Sequence, residues 1–150
     1  MKFLALVVLA LAPLVAQTQS WEAESCKSAL LSAYTTLESL PQADRHSSIT
    51  VGDYNSDKIP DVAMLLRPRT NNRKQSIGVC LSNVTVPVLI NYAYVSNNIV
   101  TKARGTRYND YELEKSGVYE HDVISVNNNE CCGASYVLRR GVFVEIVDSD

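Results

Sequence analysis

Cys26, Leu30, Ala33, Leu37 and Leu40 follow one another at intervals of four, three, four and three, the spacing that lines one stripe of an α-helix. Glu24, Lys27, Ser28, Thr35 and Glu38 make the solvated face, and Pro41 is expected to end the helix. From Ile49 onward the pattern changes to short runs of Val, Ile, Leu and Tyr divided by Asn, Gly, Pro and charged residues, which predicts six or so strands. They are read as Ser48 to Val51, Val62 to Leu66, Ser76 to Leu81, Val86 to Tyr94, Gly117 to Val126 and a closing hairpin. In the hairpin, Ala134 to Leu138 and Val142 to Val147 flank Arg139-Arg140-Gly141, with Gly141 supplying the turn's permissive backbone. Val142, Val144 and Ile146 are expected to form its packed face, with Phe143, Glu145 and Val147 partly covered. Residues 97–116 hold Lys102, Arg104, Arg107, Asp110, Glu112, Glu114 and Lys115 with little apolar periodicity, and predict a long surface loop. The fold class expected is α+β, with an N-terminal helix packed on a mainly antiparallel sheet.

The chain opens with Met1-Lys2, an apolar run from Phe3 to Ala12, Pro13, and a small and polar region ending near Ser20. This is the pattern of a secretory signal peptide over residues 1–20, with a core shorter than the ~20 residues of a membrane span. No other run approaches that length, so the mature protein is expected to lack a membrane span and to be periplasmic or secreted. Residues 21–150 then form one domain, large enough for a hydrophobic core. The whole chain carries 14 basic and 16 acidic residues. Cleavage removes Lys2 and leaves 13 against 16, a net charge of −3, a balance that argues against nucleic acid as a partner.

Cys26, Cys80, Cys131 and Cys132 all fall in the exported part, where disulfides are the first reading. Three connectivities exist for four cysteines. A bridge between the neighbours Cys131 and Cys132 would distort the intervening peptide, so Cys26 and Cys80 are each expected to pair with one of them. A four-cysteine zinc site would show two separated Cys-x-x-Cys pairs, which this chain lacks.

The stretch Asp53-Tyr54-Asn55-Ser56-Asp57-Lys58-Ile59-Pro60-Asp61 places oxygen-bearing side chains at alternate positions. Calcium takes six to eight oxygen ligands, and Asp53, Asn55, Asp57 and Asp61 fit positions one, three, five and nine of a calcium loop. Ile59, at position seven, would contribute its backbone carbonyl. Three carboxylates in so short a loop repel one another unless a cation stands among them. Position twelve is Met64 rather than a bidentate Glu, which excludes an EF-hand.

Residues 51–63, Val51-Gly52-Asp53-Tyr54-Asn55-Ser56-Asp57-Lys58-Ile59-Pro60-Asp61-Val62-Ala63, resemble instead the FG-GAP or VCBS repeat. Its loop joins two strands and reads Gly-Asp-aromatic-Asn-x-Asp-Gly-x-Pro-Asp before an apolar strand. The resemblance covers about residues 48–66 and implies a small exported bacterial protein with a calcium-type hairpin inside an antiparallel sheet. With one copy the chain is not a complete β-propeller, which needs four to eight blades. Lys58 stands where the family has Gly, at a point where the backbone commonly needs a positive φ, so the side chain there costs about 1 kcal/mol.

Other groups read more blandly. His121 with Cys131 or Cys132 would make a thiol nucleophile and its base, but export favours oxidised cysteines. Arg67, Arg69, Arg73 and Lys74 read as a solvated hairpin tip, or as a docking surface for an acidic partner. No combination of base, nucleophile and oxyanion donors stands out. The function expected is therefore a non-catalytic exported binding or interaction module, with an unknown protein as partner and calcium as cofactor. The alternatives are a periplasmic inhibitor or immunity protein of a partner enzyme, or a small hydrolase using His121, Asp122 and a free cysteine.

Overall fold

The computed structural model describes residues 14–36, 48–70, 74–91, 98–127 and 133–148. Helix α1 (Leu14–Ala33) begins within the expected leader, and residues 1–13 lie outside the described residues. The helix does not run on toward Pro41. The chain turns at Tyr34 into strand β1 (Tyr34–Thr36), because Tyr34, Thr35 and Thr36 are a β-favouring triplet that pairs with residues 66–68. Arg69 finishes the helix from outside: its N–H donates to Ala33 O at 3.3 Å and its Nη2 donates to Leu31 O at 3.0 Å, satisfying carbonyls the last turn leaves open. Leu37, Leu40 and Pro41 lie outside the described residues.

Strands β2 (Ile49–Gly52), β3 (Asp61–Pro68), β4 (Ser76–Cys80) and β5 (Val88–Asn91) complete a first sheet with β1. Along one edge β3 pairs with β2 through its first half and with β1 through its second, while β4 takes the other edge. The expected strands from Ser48, Val62 and Ser76 are all present. The one from Val86 is shorter, its last three residues lying outside the described residues.

The second sheet contains β6 (Asn98–Lys102), β7 (Arg107–Asp110), β8 (Lys115–Val118), β9 (Val123–Asn127), β10 (Gly133–Arg139) and β11 (Val142–Asp148), ordered β6-β9-β10-β11-β7-β8. Residues 97–116 are thus not one long loop. Their strands escape a search for alternation because they sit at the two ends of the sheet and bury little: β6 buries only Ile99, and β7 only Asp110. The expected strand Gly117 to Val126 is cut into β8, at one end of the sheet, and β9, which lies between β6 and β10; residues 119–122 join the two. Among the described residues every strand pair is antiparallel, and neither sheet closes into a barrel.

The two sheets share one buried cluster, with Ala63, Leu65, Ile77 and Val79 on one side and Ile99, Ile124, Val126, Ala134 and Tyr136 on the other. On the far side of the first sheet, Cys26 and Leu30 of α1 meet Met64, Leu66 and Cys80. A Cβ on Gly78 would come within 2.5 Å of Leu66 Cδ1 and 2.8 Å of Leu30 Cδ1, so Leu30 lies close against this strand. Here a disulfide joins Cys26 to Cys80, with the Cα atoms 5.8 Å apart. That corrects the expected crosswise pairing. Helical spacing places Cys26 correctly on the buried stripe, but only tertiary structure shows that Cys80 lies opposite. Cys131 and Cys132 lie outside the described residues.

The faces of the closing hairpin are also corrected. Phe143 packs on the shared core beside Leu138, while Val142 is 64 % exposed. Only Ile146 of the expected face is buried, in a small outer cluster with Tyr119, Val123 and Val137. Arg139 pairs with Val142 across the turn. Arg140 (φ 51°) and Gly141 (φ 81°) are both left-handed, as the two-residue hairpin turn of this twist requires.

Candidate metal loop and the residues that hold it

The Asp53 to Asp61 motif joins β2 to β3, and Gly52 and Asp61 form the last pair of the ladder. Gly52 is needed there for close approach: a Cβ would meet Tyr54 Cε1 at 2.7 Å and Thr101 Cγ2 at 2.8 Å. The loop's backbone is held by its own side chains. Asp57 N donates to Asn55 Oδ1 at 3.1 Å and Ile59 N donates to Asp57 Oδ1 at 2.8 Å, two consecutive Asx-type turns. Lys58 N donates to Asp53 Oδ2 at 3.0 Å. Ser56 and Lys58 carry φ of 63° and 67°, so the positive φ expected at position 58 is present, on a lysine.

Asp61 lies beneath the loop, 1 % exposed. Its Oδ2 accepts from Tyr54 N at 2.8 Å and its Oδ1 from Ser82 N at 2.7 Å. Burial pushes its carboxyl above the ordinary carboxylate value, against the lowering effect of those hydrogen bonds. Asp57 shows the opposite balance. Desolvation raises its pKa, but the Ser82 hydroxyl (2.6 Å), the Ile59 N–H and the Asn55 amide together outweigh that and hold it below the ordinary value. Asp53 differs again: its Oδ1 is shielded from solvent and has no hydrogen-bond partner among the described residues.

Three residues that the sequence reading did not assign to the loop complete this arrangement. Ser82 grips Asp57 and Asp61 from the end of β4. Asp122 accepts from Asp53 N through Oδ2 and from Arg104 N through Oδ1, both at 3.0 Å, tying the loop to the second sheet. Thr101 donates to Val51 O at 2.9 Å, which leaves it to accept from Tyr54 Oη and Thr50 Oγ1, each at 2.8 Å. These partners lie 21 to 69 positions from the residues they hold, and no local pattern marks them. Asp122 is thereby engaged with two backbone amides. Of the basic segment, Arg69 caps α1 and Arg73 lies outside the described residues.

Among the described residues no three His, Cys, Asp or Glu side chains are grouped closely enough to hold a metal ion. A set drawn from the loop therefore has to include Asn55 and the Ile59 carbonyl. No protein-family model, curated protein or solved structure matches this chain. No helix among the described residues is long and apolar enough to cross a membrane.

Tyr54, on the loop's inner side, gives a pH test of this packing. It is 1 % exposed, and burial, with its Thr101 and Thr50 hydrogen bonds opposing, pushes its phenol up to about 12 from an ordinary 10.0. The unfolded chain ionises near 10 while the folded chain keeps its proton, so the stability is fully present below pH 10 and is lost as pH rises toward 12. Two units correspond to about 3 kcal/mol. Urea unfolding from pH 9 to 12 is expected to show this loss, and Tyr54→Phe is expected to flatten it relative to the parent.

Proposed function

We propose that this protein is an exported, non-catalytic binding module whose 53–61 loop takes up one calcium ion as a structural support. The observation that carries the calcium reading is Asp53 Oδ1. A shielded carboxylate oxygen without a hydrogen-bond donor is costly, and a hard cation is the partner that chemistry offers it. The residues that would hold the ion are Asp53, Asn55 and Asp57 through side-chain oxygens and Ile59 through its carbonyl. Asp61, committed to the N–H groups of Tyr54 and Ser82, supports the set from beneath without joining it. Such a mixture of carboxylate, amide and carbonyl oxygens suits calcium better than zinc, which prefers nitrogen and sulfur.

Export is supported by the Cys26–Cys80 disulfide and by the signal-peptide pattern of residues 1–20. The binding role is supported by the loop's construction, because its carboxylates are committed to backbone amides and to support rather than to proton transfer. The resemblance to FG-GAP or VCBS hairpins agrees with this assignment. Millimolar calcium is expected to raise the melting temperature by several degrees, as ligand binding to the native state alone would, and Asp57→Ala is expected to abolish the rise while leaving a folded protein. Equal melting with calcium and with a chelator would sink the calcium reading.

A further inference from the structure

Away from the loop, a cavity of about 400 Å³ opens between the β7–β8 hairpin, the connection from β8 to β9 and the β10–β11 turn. Its aromatic wall is fixed in place. Tyr108 and Tyr119 stack with ring centroids 4.8 Å apart, and Tyr108 lies against Gly117, where a Cβ would meet its Oη at 2.7 Å. Val137 and Leu138 extend the apolar side, and Arg139, Arg140, Glu120 and His121 supply the polar groups. His121 Nε2 is shielded and has no hydrogen-bond partner among the described residues. It also lines an adjoining cavity of about 670 Å³ that contains Arg104.

Arg140 is the informative residue. Its φ of 51° is one that Gly or Asn would take more readily, and its guanidinium has no hydrogen bond or ion pair to the described residues. The guanidinium of Arg139 likewise has no hydrogen bond or ion pair to the described residues. A non-glycine residue held in the left-handed region, with its charge unspent at the rim of a cavity, points to a function for that charge. Two guanidinium groups against the single carboxylate of Glu120 leave one positive charge, which suits a monoanion better than a phosphate dianion. The apolar wall beside them suits a hydrocarbon or side-chain body.

We propose that this cavity binds an apolar group bearing one carboxylate, with Arg139 and Arg140 on the carboxylate and the Tyr108–Tyr119 stack against the body. Such a group is presented by a small carboxylic acid or by the free C-terminus of a polypeptide ending in an apolar residue. The inference goes beyond the calcium reading and shares no side chain with the oxygens assigned to it.

The test is a titration of the full chain with hexanoate, with a short peptide ending in a free leucine carboxylate, and with the same peptide amidated, followed by amide chemical shifts. The free acids are expected to move the residues lining the cavity. Amidation is expected to weaken the peptide about tenfold, the loss of one charge-assisted hydrogen bond. A peptide that binds at least about tenfold tighter than hexanoate identifies a polypeptide C-terminus as the ligand, and comparable affinities identify a small acid. Arg140→Gly relieves the backbone strain, so it is expected to melt no lower than the parent while binding the acids about tenfold more weakly. Equal binding of acid and amide, unchanged binding by Arg140→Gly, or no shift at the cavity with any probe would each overturn the proposal.

Discussion

Asp61→Ala is expected to destabilise the protein by about 4 kcal/mol, on the basis that each orphaned buried donor costs about 1–3 kcal/mol. The carboxylate is 1 % exposed and is the shared acceptor of two short bonds, from Tyr54 N at 2.8 Å and Ser82 N at 2.7 Å. Removing it strands both N–H groups in a site that water reaches poorly. Burial raises the carboxyl's pKa, which means that the charge itself is held against a desolvation cost. The loss on deletion therefore comes from the orphaned donors rather than from a favourable ion. Asp61→Asn keeps the shape and one carbonyl acceptor but turns an amide donor toward the other N–H, so it is expected to recover only part of the loss. Urea unfolding of the parent and both variants at neutral pH checks the order. A cost for Asp61→Ala below about 1 kcal/mol, the size of an ordinary surface change, would show that the N–H groups find other partners.

Loss of the Cys26–Cys80 bridge is expected to cost a similar amount. The bridge spans 54 positions, and the chain-entropy relation assigns about 4 kcal/mol to closing a loop of that length. Both sulfurs are buried, in the small cluster where Leu30 of α1 meets Met64 and Leu66. Among the described side chains of α1, only Leu30 is buried besides Cys26. The double variant Cys26→Ala with Cys80→Ala is expected to unfold at markedly lower urea. A variant as stable as the parent would mean that α1 contributes little to the folding unit.

Several of these features are visible in the amino-acid order, and the reason differs from case to case. Alternating apolar positions locate β3 and β4 because Ala63, Leu65, Ile77 and Val79 all face one core. The loop is legible because its Asx turns need Asp and Asn at fixed local offsets, and position 58 does adopt the positive φ expected of a loop of this spacing. Helical spacing places Cys26 on the buried stripe but says nothing of what lies opposite. The break at Tyr34 is hidden because the apolar stripe continues on paper through Leu37, while pairing between β1 and β3 decides the backbone. Likewise β6 and β7 are held by ladders to distant strands, and β8 by its hairpin with β7, rather than by a buried face of their own. Ser82, Thr101 and Asp122 carry no local mark because each acts on the loop from another part of the fold.

These three residues change what the loop is. As a string of oxygens it reads as a calcium loop, whereas in the fold it is a fastening between two sheets, with Asp61 and Ser82 beneath it and Asp122 reaching across from the β8–β9 connection. An ion at Asp53 would reinforce an arrangement that its hydrogen bonds already define. Isothermal titration of the chelator-treated protein with calcium tests this most directly. One ion per chain is expected, with affinity in the extracellular range of about 10⁻⁴–10⁻³ M, and with binding lost in Asp53→Asn. No heat at millimolar calcium, or the same isotherm for Asp53→Asn, would contradict it.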